Sequence, residues 1–223
     1  MIVVVGSPIA RPDGHAIAAG GLSASIAIAA AAAGAAVEVV GRVGEDAAGD
    51  QVLLALAAAK VGHVAILREP GRPTPAAAPD AGESPSPDGP ALGEALADEP
   101  GDADAAISTA GLSVDAADLE LALRYVPDYR VLVLAADLDP DALAAVIAAA
   151  GWSGAHLIAV LADAASSAAL PDSATILERP AADPDGVFGA MVAAYAVALD
   201  LGNDPAVAFA TAQRSGGWAA VAD

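Results

Sequence analysis

The residues here whose types and spacing could do chemistry are glycines and carboxylates, gathered at three places. Gly20-Gly21 opens a helix of very small residues, Ser25 to Ala33. Paired glycines let a backbone approach a ligand closely or take a positive φ without a Cβ penalty. Gly41-Arg42-Val43-Gly44-Glu45-Asp46-Ala47-Ala48-Gly49 reads as a second glycine-punctuated turn, with an acid pair leading into a helix near 47–59. Near the other end, Asp183-Pro184-Asp185-Gly186 precedes an apolar helix that starts at about Val187. Carboxylates at such a place are helix caps first, and Asp-Pro recurs at 139–140 and 204–205, each ahead of a helical pattern. An anion brought to about 4 Å of either aspartate would be repelled by roughly 1 to 4 kcal/mol, depending on the local dielectric. Pro184 also lacks an N–H to offer it.

Other constellations are weak. His15, His63 and His156 are scattered without metal-ligand spacing, and there is no cysteine, so neither a thiolate site nor a disulfide framework exists. Neither Gly-x-x-x-x-Gly-Lys-Ser/Thr nor Gly-x-Ser-x-Gly occurs. Trp152 and Trp218 read as packing residues.

The elements that must position these residues alternate. Ile2–Val5 reads as a short buried strand ending at Gly6-Ser7-Pro8, and Arg11-Pro12-Asp13-Gly14 as a turn. Strands come next at 36–40 and 61–67, each after a helix. Residues 68–107 carry many prolines among Gly, Asp and Glu and show no periodicity, which favours irregular or extended chain. Order resumes with a helix capped at Ser113, whose Leu119, Ala122, Leu123 and Val126 share one face. Strands at 130–136, 156–161 and 174–178 alternate with a helix from Asp139 to about Ala150. Helices near 187–201 and from Asp204-Pro205 towards Val221 close the chain. Strand-helix alternation predicts an α/β fold, a three-layer α/β/α sandwich on a mostly parallel sheet, in one domain spanning 1–223.

Composition sets the outer bounds. Residues are 56% hydrophobic but only 3% aromatic, so the core must rely on many small, closely packed side chains. The formal net charge of −20 repels nucleic acid and anionic lipid. The uncharged run from Ala16 to Val37 is mostly alanine broken by Gly20, Gly21 and Gly34, too weakly hydrophobic for a membrane span. A strand rather than a cationic leader opens the chain, and a cytoplasmic location is expected.

Gly20, Gly21, Gly41, Val43, Gly44, Asp46 and Gly49 stand in register with the N-terminal signature of the PfkB or ribokinase-like family of sugar and nucleoside kinases, which the chain resembles over about thirty residues. The resemblance implies a ribokinase-like fold with a reduced lid at 68–107. It implies substrate contacts at Gly20, Gly21, Ser25, Gly44 and, in place of the family's acid, Asp13. It also implies an anion or nucleotide region at Asp183, Pro184 and Val187. Ligands in such folds sit beyond the carboxyl ends of the strands, so Gly20, Gly21, Ser25, Gly44 and Asp185 should converge on one cleft. The family's Gly-Ala-Gly-Asp motif binds the transferred phosphoryl group on a helix start and supplies a general base. Phe188 and Ala190 match the residues just after that motif, but Gly186 stands at the base's position, leaving Asp185 as a displaced candidate. Asn203 is the only asparagine, so the family's Asn-x-x-Glu element near Mg²⁺ cannot be present in its usual form. The reading is a truncated, degenerate homologue that binds at most a sugar- or nucleoside-like ligand without phosphoryl transfer. An active carbohydrate kinase using ATP and Mg²⁺ through Asp185 is the alternative. A structural protein that self-associates, for example as a homodimer, is a third reading.

Overall fold

A computed structural model describes residues 1–14, 16–77, 111–126, 128–163, 168–181, 183 and 186–215. Pro184, Asp185, Trp218 and most of the Pro-rich segment lie outside the described residues.

Six parallel strands form the central sheet. β1 (Ile2–Val5) and β6 (Val131–Leu134) lie side by side at its centre. β4 (Val37–Gly44) and β5 (Ile66–Glu69) extend it on the β1 side, and β7 (His156–Leu161) and β8 (Thr175–Glu178) on the β6 side. The order is therefore β5-β4-β1-β6-β7-β8. The central strands are short apolar runs because both faces are covered. Ile2 and Val4 point into one core with Val131 and Val133, while Val3 and Val5 point into the other with Leu132 and Leu134, the period of two that a pleated strand imposes.

Helices cover both faces. α1 (Gly21–Ala32), α2 (Ala47–Ala58), α5 (Val187–Asp200) and α6 (Pro205–Ser215) contribute to the first core. α3 (Ala116–Tyr125) and α4 (Pro140–Ser153) contribute to the second. This is the three-layer α/β/α sandwich with a parallel sheet that strand-helix alternation predicts. α5 buries Phe188, Met191, Val192, Tyr195, Ala196 and Leu199, so it is apolar all round, as a helix enclosed on several sides must be. It packs on α1 through small residues: a Cβ added at Gly189 would lie 3.3 Å from the Ser25 Cβ. No described helix is long and apolar enough to cross a membrane.

Several local expectations are corrected. Of the turn expected at Arg11-Pro12-Asp13-Gly14, only Gly14 is a turn residue, and Ile9 to Asp13 is extended. It is strand β2, paired antiparallel with β3 (Ala16–Gly20) in a separate two-stranded sheet. Ala10 also exchanges backbone hydrogen bonds with the 75–77 segment at 2.8 Å, which ties this small sheet to the start of the Pro-rich segment; the rest of the reduced lid expected at 68–107 lies outside the described residues. Gly41 to Gly44 continues β4, and its glycines are there for crowding. A Cβ at Gly41 would sit 2.8 Å from the Gly6 carbonyl oxygen, and one at Gly44 2.5 Å from the Thr74 nitrogen. Strand β5 starts at Ile66, five residues later than the apolar run suggests, with only Gly62 bridging to Glu38 before it. α3 is capped by Asp115, not Ser113: the Asp118 N–H donates to Asp115 Oδ1 at 2.9 Å. Trp152 is 94% exposed and packs into neither core.

Candidate functional site

The chain runs outward from β1 to β4 and β5, then returns across β1 to build β6, β7 and β8 on the opposite side. The strand order thus reverses between β1 and β6. In open parallel sheets such a reversal leaves a crevice beyond the carboxyl ends of the two strands, because the connections leave in opposite directions. A cleft of about 220 Å³ lies there. Ser7, just past β1, and Ala135 to Leu138, just past β6, form part of its wall. Ile9, the first turn of α1 from Gly21 to Ser23, the 111–114 segment and Arg179, just past β8, complete it. The volume is below the roughly 300–1,000 Å³ of pockets that enclose drug-sized ligands, so a small metabolite is the scale of occupant.

The polar groups of the cleft differ in how much they are already engaged. The Ser7 hydroxyl accepts from the Arg42 N–H at 2.9 Å and donates to the Leu112 carbonyl, which ties β1 to β4 and to the 111–114 segment. Arg42 itself is committed to Glu69, Asp115 and Asp118. Ser23 is 2% exposed, and its hydroxyl has no hydrogen-bond partner. Arg179 pairs with Asp137 at 3.6 Å, with 39% and 64% of their side chains exposed; so long and open a pair is worth about 0–1 kcal/mol.

Gly21, at φ +82°, opens α1 and lines the cleft. Gly20 precedes it as the N-cap, at the end of β3, where an added Cβ would sit 2.8 Å from the Arg11 Cβ. Leu22 forms part of the wall but does not fill the space, and Ile26 is turned into the core. Gly44, Ser25 and Asp13 do not line the cleft. The Gly44 N–H donates to Thr74 Oγ1 at 2.9 Å, Ser25 is exposed beside α5, and Asp13 is exposed at the end of β2. The expected convergence of all five groups on one cleft therefore reduces to Gly21 with its neighbour Gly20, and Asp185 lies outside the described residues.

The glycine-punctuated motif after β4 acts as a latch. Asp46 caps α2 by accepting the Gly49 N–H at 2.8 Å, and its two oxygens also accept the Thr74 hydroxyl at 2.6 Å and the Thr74 N–H at 2.8 Å. Burial alone would raise its pKa. The Thr74 and Gly49 hydrogen bonds, helped by the Arg68 charge, outweigh that and hold it below the ordinary carboxylate value of 3.8.

At the start of α5, Gly186 takes the left-handed conformation, φ +67°, with open space where a side chain would project. Val187 is the first helical residue. Asp183 reaches over this turn: its Oδ1 accepts the Phe188 N–H and its Oδ2 the Gly189 N–H, each at 3.0 Å. Two of the orphan donors of the helix start are thereby bound to the chain's own carboxylate. Asp115, Asp139 and Asp204 cap α3, α4 and α6 in the same chemical sense. α1 is different, with no side-chain cap and no acid in its first turn. Among the described residues no cluster of three His, Cys, Asp or Glu side chains is placed to hold a metal ion.

Comparison with solved structures bears on this architecture. The chain is similar to the ribokinase of Arabidopsis thaliana complexed with ribose and ATP, at 17% identity over 96% of this chain and 90% of that one, with a TM-score of 0.63. Similarity to Escherichia coli phosphofructokinase-2 in complex with fructose-6-phosphate is 14% identity, 98% and 93% coverage and a TM-score of 0.62. For the Salmonella enterica aminoimidazole riboside kinase complexed with aminoimidazole riboside and an ATP analog, the values are 13%, 96% and 91%, and 0.62. The fold is ribokinase-like. Identities this low carry the fold and not the activity. No protein-family model and no curated protein sequence matches the chain.

Sequence reasoning missed Arg179, Asp137 and Ser23 as cleft residues. Arg179 directly follows β8 and Asp137 comes three residues after β6, which is the signal the chain offers, but which strand ends become neighbours depends on the sheet order. Ser23 sits two residues beyond Gly21, the glycine that marks the helix start.

Proposed function

We propose that this ribokinase-like chain binds a small sugar- or nucleoside-like molecule in the cleft between the ends of β1 and β6 and does not transfer a phosphoryl group to it. The observation that carries the reading is the position of Asp183. The N–H groups of Phe188 and Gly189 are the donors that a helix start could offer to a transferring phosphate, and both are hydrogen-bonded to a carboxylate of this chain. A phosphate arriving there must displace two charge-assisted hydrogen bonds and also meet a like charge. Gly186 at the position of the family's base has no side chain to accept a proton. The described residues at the start of α5 therefore do not fit ATP and Mg²⁺. Binding in the cleft is supported by its place at the strand-order reversal and by its open polar wall, with Ile26 withdrawn into the core.

Thermal shift and a coupled phosphorylation assay test this together. Wild type is expected to show no shift with millimolar ATP·Mg²⁺ and no sugar phosphorylation. Asp183→Ala, which frees the two amides, is expected to gain a nucleotide-dependent shift while losing about 0.5–2 kcal/mol of stability as a lost cap. Phosphorylation of a sugar by wild type, abolished in Asp185→Ala, would instead establish the active kinase.

A further inference from the structure

The groups that face the cleft say what kind of molecule fits it. Among the described residues, five helices have first-turn N–H groups held by an aspartate carboxylate: Asp46, Asp115, Asp139 and Asp204 as caps, and Asp183 reaching over the Gly186 turn. α1, whose first turn lines the cleft, is the exception. Its macrodipole end therefore stays available to an external anion. A second, independent observation points the same way. The Ser23 hydroxyl in that first turn is 98% enclosed and unpartnered, a state that costs stability unless something else supplies the hydrogen bond. The third is Arg179. It is the cation of the cleft wall, and its loose pairing with Asp137 at 3.6 Å leaves most of its five N–H donors unspent. In a chain of net charge −20, such a conjunction at the strand-order reversal is not explained by the surrounding field.

We propose that the cleft selects an anionic polyhydroxy molecule, a sugar acid or a sugar phosphate, whose charged oxygens sit between the start of α1, with the Ser23 hydroxyl, and the Arg179 guanidinium. The proposal rests on the binding reading above and adds the charge of the ligand to it. Asp137 is the group that opposes an anion here, and its sign makes the idea testable. Were the ligand neutral, Asp137 would be an acceptor for its hydroxyls and removing the charge would weaken binding. For an anion, removing it strengthens binding and releases Arg179.

The experiment is titration calorimetry on the full chain with four probes: ribose, gluconate, ribose 5-phosphate and inorganic phosphate. Gluconate or ribose 5-phosphate is expected to bind at least tenfold more tightly than ribose, and which of the two does so distinguishes carboxylate from phosphate. Arg179→Gln is expected to weaken that binding about tenfold or more, as for a lost charge-assisted hydrogen bond. Asp137→Asn should tighten it a few-fold. Ser23→Ala should weaken it several-fold while leaving the melting temperature of the free protein unchanged or higher, since it removes an unpaired buried group. Ribose binding as tightly as either anion, with Asp137→Asn weakening it, would overturn the anion inference and leave the binding reading standing. Inorganic phosphate binding as tightly as ribose 5-phosphate would keep the anion site and overturn the sugar-like ligand. Silence with all four probes would overturn both.

Discussion

Asp46 reads in the sequence as a helix-start acid, and in space it is architectural. Its place in a glycine-rich turn ahead of a helix suits a cap, and its two oxygens are occupied by Gly49 and Thr74. Asp115 is similar: the Asp118 N–H, then the Arg42 charge, hold it below the ordinary value of 3.8 against a small desolvation cost. Both carboxyls bind protons less readily folded than unfolded, so they stabilise the fold above pH 3.8 and that contribution is lost as pH falls through their lower folded values. Asp46→Asn is accordingly expected to lower the melting temperature at pH 7 and to flatten its decline as pH falls below 3.8. A melting-temperature profile against pH that keeps the wild-type slope in the variant would show that Asp46 is not one of the titrating groups. Asp183 likewise accepts from backbone N–H groups at a helix start, but it reaches five and six residues ahead. Its proximity to the α5 start could be read from the chain, whereas its grip on those particular amides depends on the left-handed turn at Gly186.

At the scale of elements, the legible features came from local chemistry. The unbroken apolar run at 131–134 marks a central strand, and the Asp-Pro starts at 139–140 and 204–205 open helices where expected. The features that were not legible are fixed by distant contact. Pro12 and Gly14 signal a turn, and β2 exists because β3 and the 75–77 segment flank it. Gly41 and Gly44 read as turn glycines, and they are strand residues over which Gly6, Ser7 and the 72–74 segment pass. Nothing local in the chain announces such a crossing. The latch between β4 and the 72–74 segment should therefore be intolerant of one extra methyl group. Gly44→Ala is expected to cost about 1–3 kcal/mol, the range for overpacking a site that cannot yield, because the obstructing atoms belong to the Arg72–Thr74 backbone. Urea denaturation of wild type and variant measures it, and a difference under about 0.5 kcal/mol, the scatter of ordinary surface substitutions, would mean that the segment moves aside freely.

For the molecule as a whole, 29 acidic residues against 9 basic ones make self-repulsion a standing load on the compact state. Salt screens it over roughly 10 Å at 0.1 M. The melting temperature is expected to rise between about 10 mM and 0.5 M sodium chloride, as measured by calorimetry. A fall would mean that the ion pairs around Arg42 outweigh the repulsion. The cleft's location at the β1–β6 reversal was legible in kind, since strand-helix alternation implies a crevice at the strand ends. Its chemistry was not, because β8 delivers Arg179 to it from about forty residues beyond Asp137. The aspartates that hold the first N–H groups of five of the six described helices carry one more implication, for anyone wishing to make this protein less acidic. Neutralising substitutions at Asp46, Asp115, Asp139, Asp183 or Asp204 would fray the helices they begin. A milder surface must be sought at solvent-facing acids outside those starts, such as Glu120 and Glu178.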